Sequence, residues 1–301
     1  MTPTFSDYFK LHFIVLLWGF TAILGKLVSI PAVEMVFYRT LLAALGMGAF
    51  MLWKGTSFRI ANSDFWKLFL TGFIVAAHWH TFFVSGRVSN ASVSLVGFAT
   101  GSLWTALLEP WVKKKNIQPL EVALGLLVLV GLYIVFAFDF QYALGLVLGI
   151  LSGFTMAVFA VINSQFVMRI HPFAITFYEM AGACIGTVLF FPLYTTLVAP
   201  DGQLHLRPTW LDWLWIAAMA WACSVYAYVI ALELMRKVSV FLISLTLNLE
   251  PVYGIIMAVL IFGKSEQMNA NFYIGAIVIL VAVLSYPLIK QKLGKHPVKS
   301  T

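Results

Sequence analysis

Several short motifs of this chain occur twice, and that duplication limits its architecture more than any other feature. Gly19-Phe20-Thr21 returns as Gly153-Phe154-Thr155, and Phe37-Tyr38-Arg39 as Phe177-Tyr178-Glu179. Val88-Ser89 returns as Val238-Ser239, and Gly125 has a counterpart in Gly275. The offset drifts from 134 to 140 to 150 residues, as expected when connecting loops gain residues and helices keep their length. The chain therefore reads as two copies of one unit, residues 1–140 and residues 141–301.

The unit is apolar. Hydrophobic residues make up 61% of the chain and charged residues 10%, against about 25% charged in a soluble domain. One soluble core cannot hide that much apolar surface, whereas a chain solvated by lipid has no need to. A membrane-crossing helix takes roughly 20 mostly apolar residues. Ten stretches qualify: 9–29, 32–53, 66–86, 91–111, 119–138, 143–168, 172–197, 210–234, 238–262 and 271–289. Turn and polar residues separate them, among them Pro31, Asn90, Asn116 to Pro119 and Pro200 to Pro208. The first stretch lacks the basic start and small-residue cleavage site of a signal peptide and reads as a retained helix. The expected fold is all-α, with ten transmembrane helices.

Basic residues orient the bundle. Alternate connections collect Lys10, Lys54, Arg59, Lys67, Lys113 to Lys115, Arg169, Arg236, Lys237, Lys290, Lys292, Lys295 and Lys299 on one side, and Arg87, Arg207 and Lys264 on the other. Fourteen against three makes the first side cytoplasmic, with both termini there, as expected of a multi-pass protein of the inner (plasma) membrane. The net charge of +7 is thus topological, and no nucleic-acid partner is expected. Five spans per copy is an odd number, so the second copy enters the membrane upside down. Inverted repeats of this kind build transporters whose site lies at the repeat interface. Gly145, Gly149 and Gly153 share one helix face, and Gly97 with Gly101 and Gly182 with Gly186 have the same spacing. Such residues let backbones approach closely.

Ten helices in two inverted five-helix halves, with Gly19-Phe20-Thr21 in the first helix and Glu250-Pro251 inside the ninth, resemble the drug/metabolite transporter superfamily. Within it, the chain is similar to the bacterial branch of paired EamA domains. The resemblance covers about residues 9 to 290. It implies alternating access around a midplane cavity lined by helices one, three, four, six, eight and nine. It also implies small metabolites as substrates. The proline usual in helix nine is Pro251, while its mate in helix four is Gly101; these are the expected hinge and gating positions. Small four-helix relatives use a glutamate in helix one for proton exchange. Helix one here has none, so that mechanism does not carry over.

Charges near the bilayer centre are costly and mark candidate sites. Lys26, Glu34, Glu109, Glu233 and Arg236 lie near helix ends and read as interface residues. Glu233 and Arg236, three apart, read as a surface pair. Arg39, Glu179 and Glu250 are deeper. Arg39 and Glu179 occupy mirrored positions after Tyr38 and Tyr178, and suit either the two ends of a zwitterion or a latch between the halves. Glu250 lies between Asn248 and Pro251. The proline leaves the carbonyl of Leu247 unpaired and loosens the turn, so this carboxyl is a candidate ligand for an ammonium group or a proton carrier. His78 and His80 point about 200° apart on one helix and cannot share a metal. One is expected to face the cavity; Tyr226 and Tyr228 hold the mirrored positions. Trp18, Trp79 and Trp104 lie inside helices, and Trp104 is the candidate aromatic wall.

Cys184 and Cys223 have neither metal-ligand spacing nor a disulfide framework. No nucleotide-binding loop and no His-Glu-x-x-His or Gly-x-Ser-x-Gly motif is present, so no cofactor and no enzyme activity is expected. The leading reading is a secondary transporter that exports amino acids or related zwitterions, driven by protons or a counter-substrate. Export of sugar phosphates, nucleosides or drugs, a channel or receptor, and an intramembrane enzyme are the alternatives.

Overall fold

The structure, a computed structural model, describes residues 3–136, 142–199, 201–266 and 270–294. The expected repeat boundary at 140/141, the end of the fifth stretch, Pro200, Lys295 and Lys299 lie outside the described residues. Helices α1 Phe5–Leu27, α2 Ala32–Trp53 and α3 Asn62–Val88 are followed by a broken rod, α4 Ala91–Phe98 and α5 Gly101–Lys113. Then come α6 Pro119–Phe136, α7 Ala143–Phe166 and α8 Pro172–Leu197. The next rod joins α9 Trp210–Ala218, a π-helical segment Met219–Tyr226 and α10 Ala227–Leu234. A second broken rod, α11 Val240–Leu247 and α12 Glu250–Phe262, precedes α13 Ala270–Gly294. No strand occurs among the described residues.

Eight of these rods are long and apolar enough to cross a membrane. The other two expected spans fall on α6 and α13, where the described apolar helices Pro119–Val128 and Tyr273–Ala282 are shorter. Leu189, Leu193, Leu126 and Tyr133 stand exposed on the outside of the bundle, a surface that suits hydrocarbon.

Where the rods break, the backbone tightens. Thr100 N bonds Gly97 O, and Asn248 N and Leu249 N bond Leu245 O and Thr246 O, each three residues back. Pro251, the second residue of α12, has no N–H to continue the ladder to Leu247. Side chains cap the starts of both broken rods. Asn90 accepts from Val93 N at 2.9 Å, and Ser239 accepts from Leu242 N at 3.2 Å.

Packing repeats with the sequence. α1 packs on α12 as α7 packs on α4 and α5, and α3 packs on α8 as the π segment and α9 pack on α2. The hydrogen bonds also come as mates, both between the halves and within them. Tyr38 Oη donates to Leu206 O at 3.0 Å and Tyr178 Oη to Phe58 O at 2.6 Å. Arg87 Nη2 donates to the carbonyls of Gly25, Val28 and Ile30 at the end of α1. Arg236 donates to those of Val167 and Ile170 after α7. An arginine there satisfies carbonyls that the helix leaves unpaired. Asp212 accepts from Ser29 N and Oγ, both at 2.6 Å, and Asp64 holds Arg169 by two hydrogen bonds.

These bonds correct the sequence reading of the helix-end charges. Arg236 bonds the carbonyls of Val167 and Ile170, and no ion pair with Glu233 occurs among the described residues. Glu34 is fully buried and accepts from His205 N at 3.2 Å. Glu109 bridges Lys113 at 2.7 Å and Phe241 N at 2.9 Å, joining α5 to α11.

Glycine contacts bring the rods together. A Cβ on Gly182 would overlap the backbone of Phe69, and one on Gly72 the backbone of Glu179 and Ala183. Gly97 and Gly149 meet backbone to backbone in the same way. Gly182→Val is therefore expected to destabilise by at least about 1–3 kcal/mol, read as a lower thermal midpoint in detergent. Gly86→Ala, whose Cβ meets Ser94 Cβ at 3.9 Å, is expected to leave that midpoint unchanged or raise it.

Candidate functional site

A cavity of about 80 Å³, measured as the space open to the centres of water-sized spheres, lies among α1, α2, α3, α4, α7, α10, α11, α12 and the π segment. That is room for several waters or a small solute. Its wall reaches Met235 and Ile243, at the bundle end where Lys113 and Lys237 lie, and stops at Phe82, Phe98 and Glu250 in the other direction. Beyond that second limit stand the Arg87, Asp212 and Glu34 bonds described above.

An arginine and a glutamate line this space. Arg39, 1% exposed, donates from Nε to Ser224 Oγ at 2.6 Å. Its guanidinium lies 4.1 Å from the Trp79 ring centroid and 5.5 Å from that of Phe83. Such stacking holds a buried guanidinium in place. Arg39 Nη1 has no hydrogen-bond partner among the described residues. Glu250 lines the same space. Among the described residues no ion pair joins the two.

The rest of the wall is aromatic and sulfur-rich: Trp18, Phe82, Phe98, Phe159, Met156 and Met235. His78 joins it. Its Nδ1 lies 3.0 Å from Ser152 O and 2.9 Å from Ser152 Oγ, and its ring sits among Phe82, Phe98 and Phe159. His80 points the other way, 3.2 Å from Thr187 Oγ1 and stacked on Phe190. The roughly 200° between them sends one ring to the cavity and the other to α8.

The remaining sequence candidates lie outside this wall. Glu179 is fully buried behind Tyr228, which lines the cavity and donates to Glu179 Oε2 at 2.7 Å. Arg39 and Glu179 are not an ion pair, because the halves place them on different partners, Ser224 and Tyr228. Asn248 Nδ2 donates to Ser102 Oγ at 2.9 Å and ties α5 to the turn before α12. Trp104 packs edge-on against Phe154. Tyr38 and Tyr178 form the paired bonds between halves already described. Tyr226 is 48% exposed and meets Phe13 on the outer surface; a helix that turns Tyr228 inward turns its i−2 neighbour away. Gly101 lies against Gly153 O, 3.2 Å from where its Cβ would be. The side chain of Pro251 lies outside the described residues.

Sequence reasoning missed Ser224, Cys223 and Asn163. The π-helical segment turns Cys223 and Ser224 toward α1 and α2: Trp18 Nε1 donates to Cys223 O at 2.9 Å, and Ser224 Oγ donates to Met219 O, five residues back, at 3.0 Å. π-bulges recur at functional sites. The only advance signal was a polar pair, Cys223-Ser224, in an otherwise apolar run.

Cys223 lines the cavity and Cys184 does not. A charged, water-soluble thiol reagent applied from the Lys113–Lys115 side is expected to modify Cys223 and spare Cys184, as read by mass spectrometry, and Cys223→Ser is expected to abolish labelling. Labelling confined to Cys184 would place the aqueous path elsewhere.

The model of the EamA-like transporter family matches twice, over residues 8–137 and 143–286. No curated protein matches the chain. A crystal structure of another protein superposes with a TM-score of 0.71 at 16% identity, covering 97% of this chain and 99% of that one. At that identity the likeness shows the fold alone.

Proposed function

The chain belongs to the EamA-like transporter family, and on that premise we propose that it is a secondary transporter working by alternating access around the Arg39–Glu250 cavity. It is a multi-pass membrane protein. We read it as ten spans in two inverted halves, in the plasma membrane, with both termini cytoplasmic.

One observation carries the substrate reading. Arg39, whose Nη1 has no hydrogen-bond partner among the described residues, and Glu250 line one small, largely apolar space. Charges left in that condition are expensive, and a ligand with an anionic group for Arg39 and a cationic group for Glu250 relieves both. Amino acids and related zwitterions have that pattern. A sugar phosphate brings two negative charges, and Arg39 is the one cation lining the wall among the described residues. Movement outward follows the resemblance to exporters of the superfamily. The Asp212–Ser29 and Glu34–His205 bonds join the halves on the outer side, and the reach of the cavity to Met235 supports access from the cytoplasm. Rocking of one half against the other, with the breaks at Gly101 and Pro251 as flexing points, exchanges the two.

A thermal-shift screen of amino acids, amines, nucleosides and sugar phosphates on purified protein tests the substrate class. A binding zwitterion at 100 times its Kd is expected to add about 2.7 kcal/mol. Glu250→Gln is expected to weaken that ligand about ten- to a hundredfold, the loss of one charged hydrogen bond, and to stop its flux in proteoliposomes while the protein stays folded. Unchanged affinity and flux in Glu250→Gln would remove this carboxyl from the site.

A further inference from the structure

Behind the cavity wall lies a buried carboxyl with no cationic partner among the described residues. Glu179, Asn163 and Tyr228 are brought together from α8, α7 and α10, and Glu179 and Asn163 are wholly enclosed. Tyr228 Oη donates to Glu179 Oε2 at 2.7 Å. Asn163 Nδ2 donates to Glu179 Oε2 at 3.1 Å and to Tyr228 Oη at 2.8 Å. These bonds use every hydrogen the group can offer, two on the amide and one on the phenol. Two acceptors remain unpartnered, Glu179 Oε1 and Asn163 Oδ1. With the carboxyl ionised, the cluster has more acceptors than donors and an uncompensated negative charge, and burying such a charge costs several kcal/mol. One additional proton removes the charge.

On α2 and α3, both packed against α8, the following buried or helix-end charged and titratable groups are engaged elsewhere. On α2, Arg39 is held by Ser224 and Trp79, and Glu34 meets His205 N. On α3, His78 is at Ser152, His80 at Thr187, Asp64 at Arg169 and Arg87 on the carbonyls after α1. Tyr228 is the titratable side chain bonded to the Glu179 carboxyl among the described residues, and it also faces the cavity.

We propose that Glu179 is a proton-binding site that exchanges with the cavity through the Tyr228 hydroxyl. In the uptake step, a hydronium in the cavity passes a proton to Tyr228 Oη as Tyr228 passes its own hydroxyl proton to Glu179 Oε2. One O–H bond forms on the carboxyl, one breaks on the hydronium, and Tyr228 ends as it began. Release is the reverse. A solute filling the cavity covers Tyr228 and blocks the relay, so occupancy and proton exchange are mutually exclusive. The proton site stands on the cluster alone. Its consequence, exchange of a proton for substrate, rests on the transporter reading above.

Infrared spectra of the purified full-length protein, stepped through pH without any substrate, test the site separately from transport. A carbonyl band of a protonated buried carboxylic acid is expected; it is lost in Glu179→Gln and retained in Glu250→Gln. Should Glu179→Gln fail to fold, Tyr228→Phe keeps the carboxyl and removes one donor. It is expected to shift the same band and to slow its exchange in D2O at least tenfold. A carboxylate signature at every pH, a band indifferent to Tyr228→Phe, or a band governed by sodium rather than pH overturns the proposal and leaves the transporter reading untouched. Loss of ligand binding at Arg39 and Glu250 with the band intact overturns only the latter.

Discussion

Hydrocarbon gives helices no hydrophobic reason to associate, so this bundle depends on backbones that touch and polar groups that find each other inside. Gly72 and Gly182 admit α3 and α8 to backbone contact, and Gly97 with Gly149 does the same for α4 and α7. At that separation a single side chain can reach across to a neighbouring helix end. Arg87 and Arg236 do so, each satisfying carbonyls that a helix terminus leaves unpaired.

The same constraint shapes the centre. Polar side chains there are few, and nearly all are committed: Asn248 to Ser102, Thr105 to Ser244, His78 to Ser152. Among the buried polar atoms left without a partner are Arg39 Nη1 at the cavity and Glu179 Oε1 and Asn163 Oδ1 behind it. In a bundle so thoroughly bonded, open valences next to a cavity are the places where a solute or a proton has something to gain. Tyr228 belongs to both places, lining the cavity and bonding Glu179.

The halves are mates in packing and differ in chemistry. Tyr38 and Tyr178 make equivalent bonds, yet the residues that follow them are an arginine at the cavity and a glutamate behind it. Repetition therefore shapes the scaffold, and divergence at the mirrored positions sets which side chain meets the cavity. That asymmetry also explains why Arg39 and Glu179, adjacent in the logic of the repeat, share no bond in the fold.

Periodic apolar runs, turn residues and a twice-used set of motifs were enough to read an all-helical, duplicated membrane bundle, because helix formation and lipid solvation are local properties of a segment. Arg39, Glu250 and one of His78/His80 were legible as cavity residues for a similar reason: a charge or imidazole deep in a span needs a partner. Direction within the bundle was not legible. Choosing His78 over His80, turning Tyr226 out and Tyr228 in, and drawing Arg236 onto the carbonyls after α7 instead of Glu233 depend on helix rotation and on which neighbour offers an unpaired group. The π-helical segment that brings Ser224 to Arg39 is likewise a product of packing. Composition and spacing determined that this chain is a repeated helical membrane unit with a few buried charges. Only the tertiary contacts decided which of those charges meet, because a side chain's partner is set by the rotation and approach of helices far apart in the sequence.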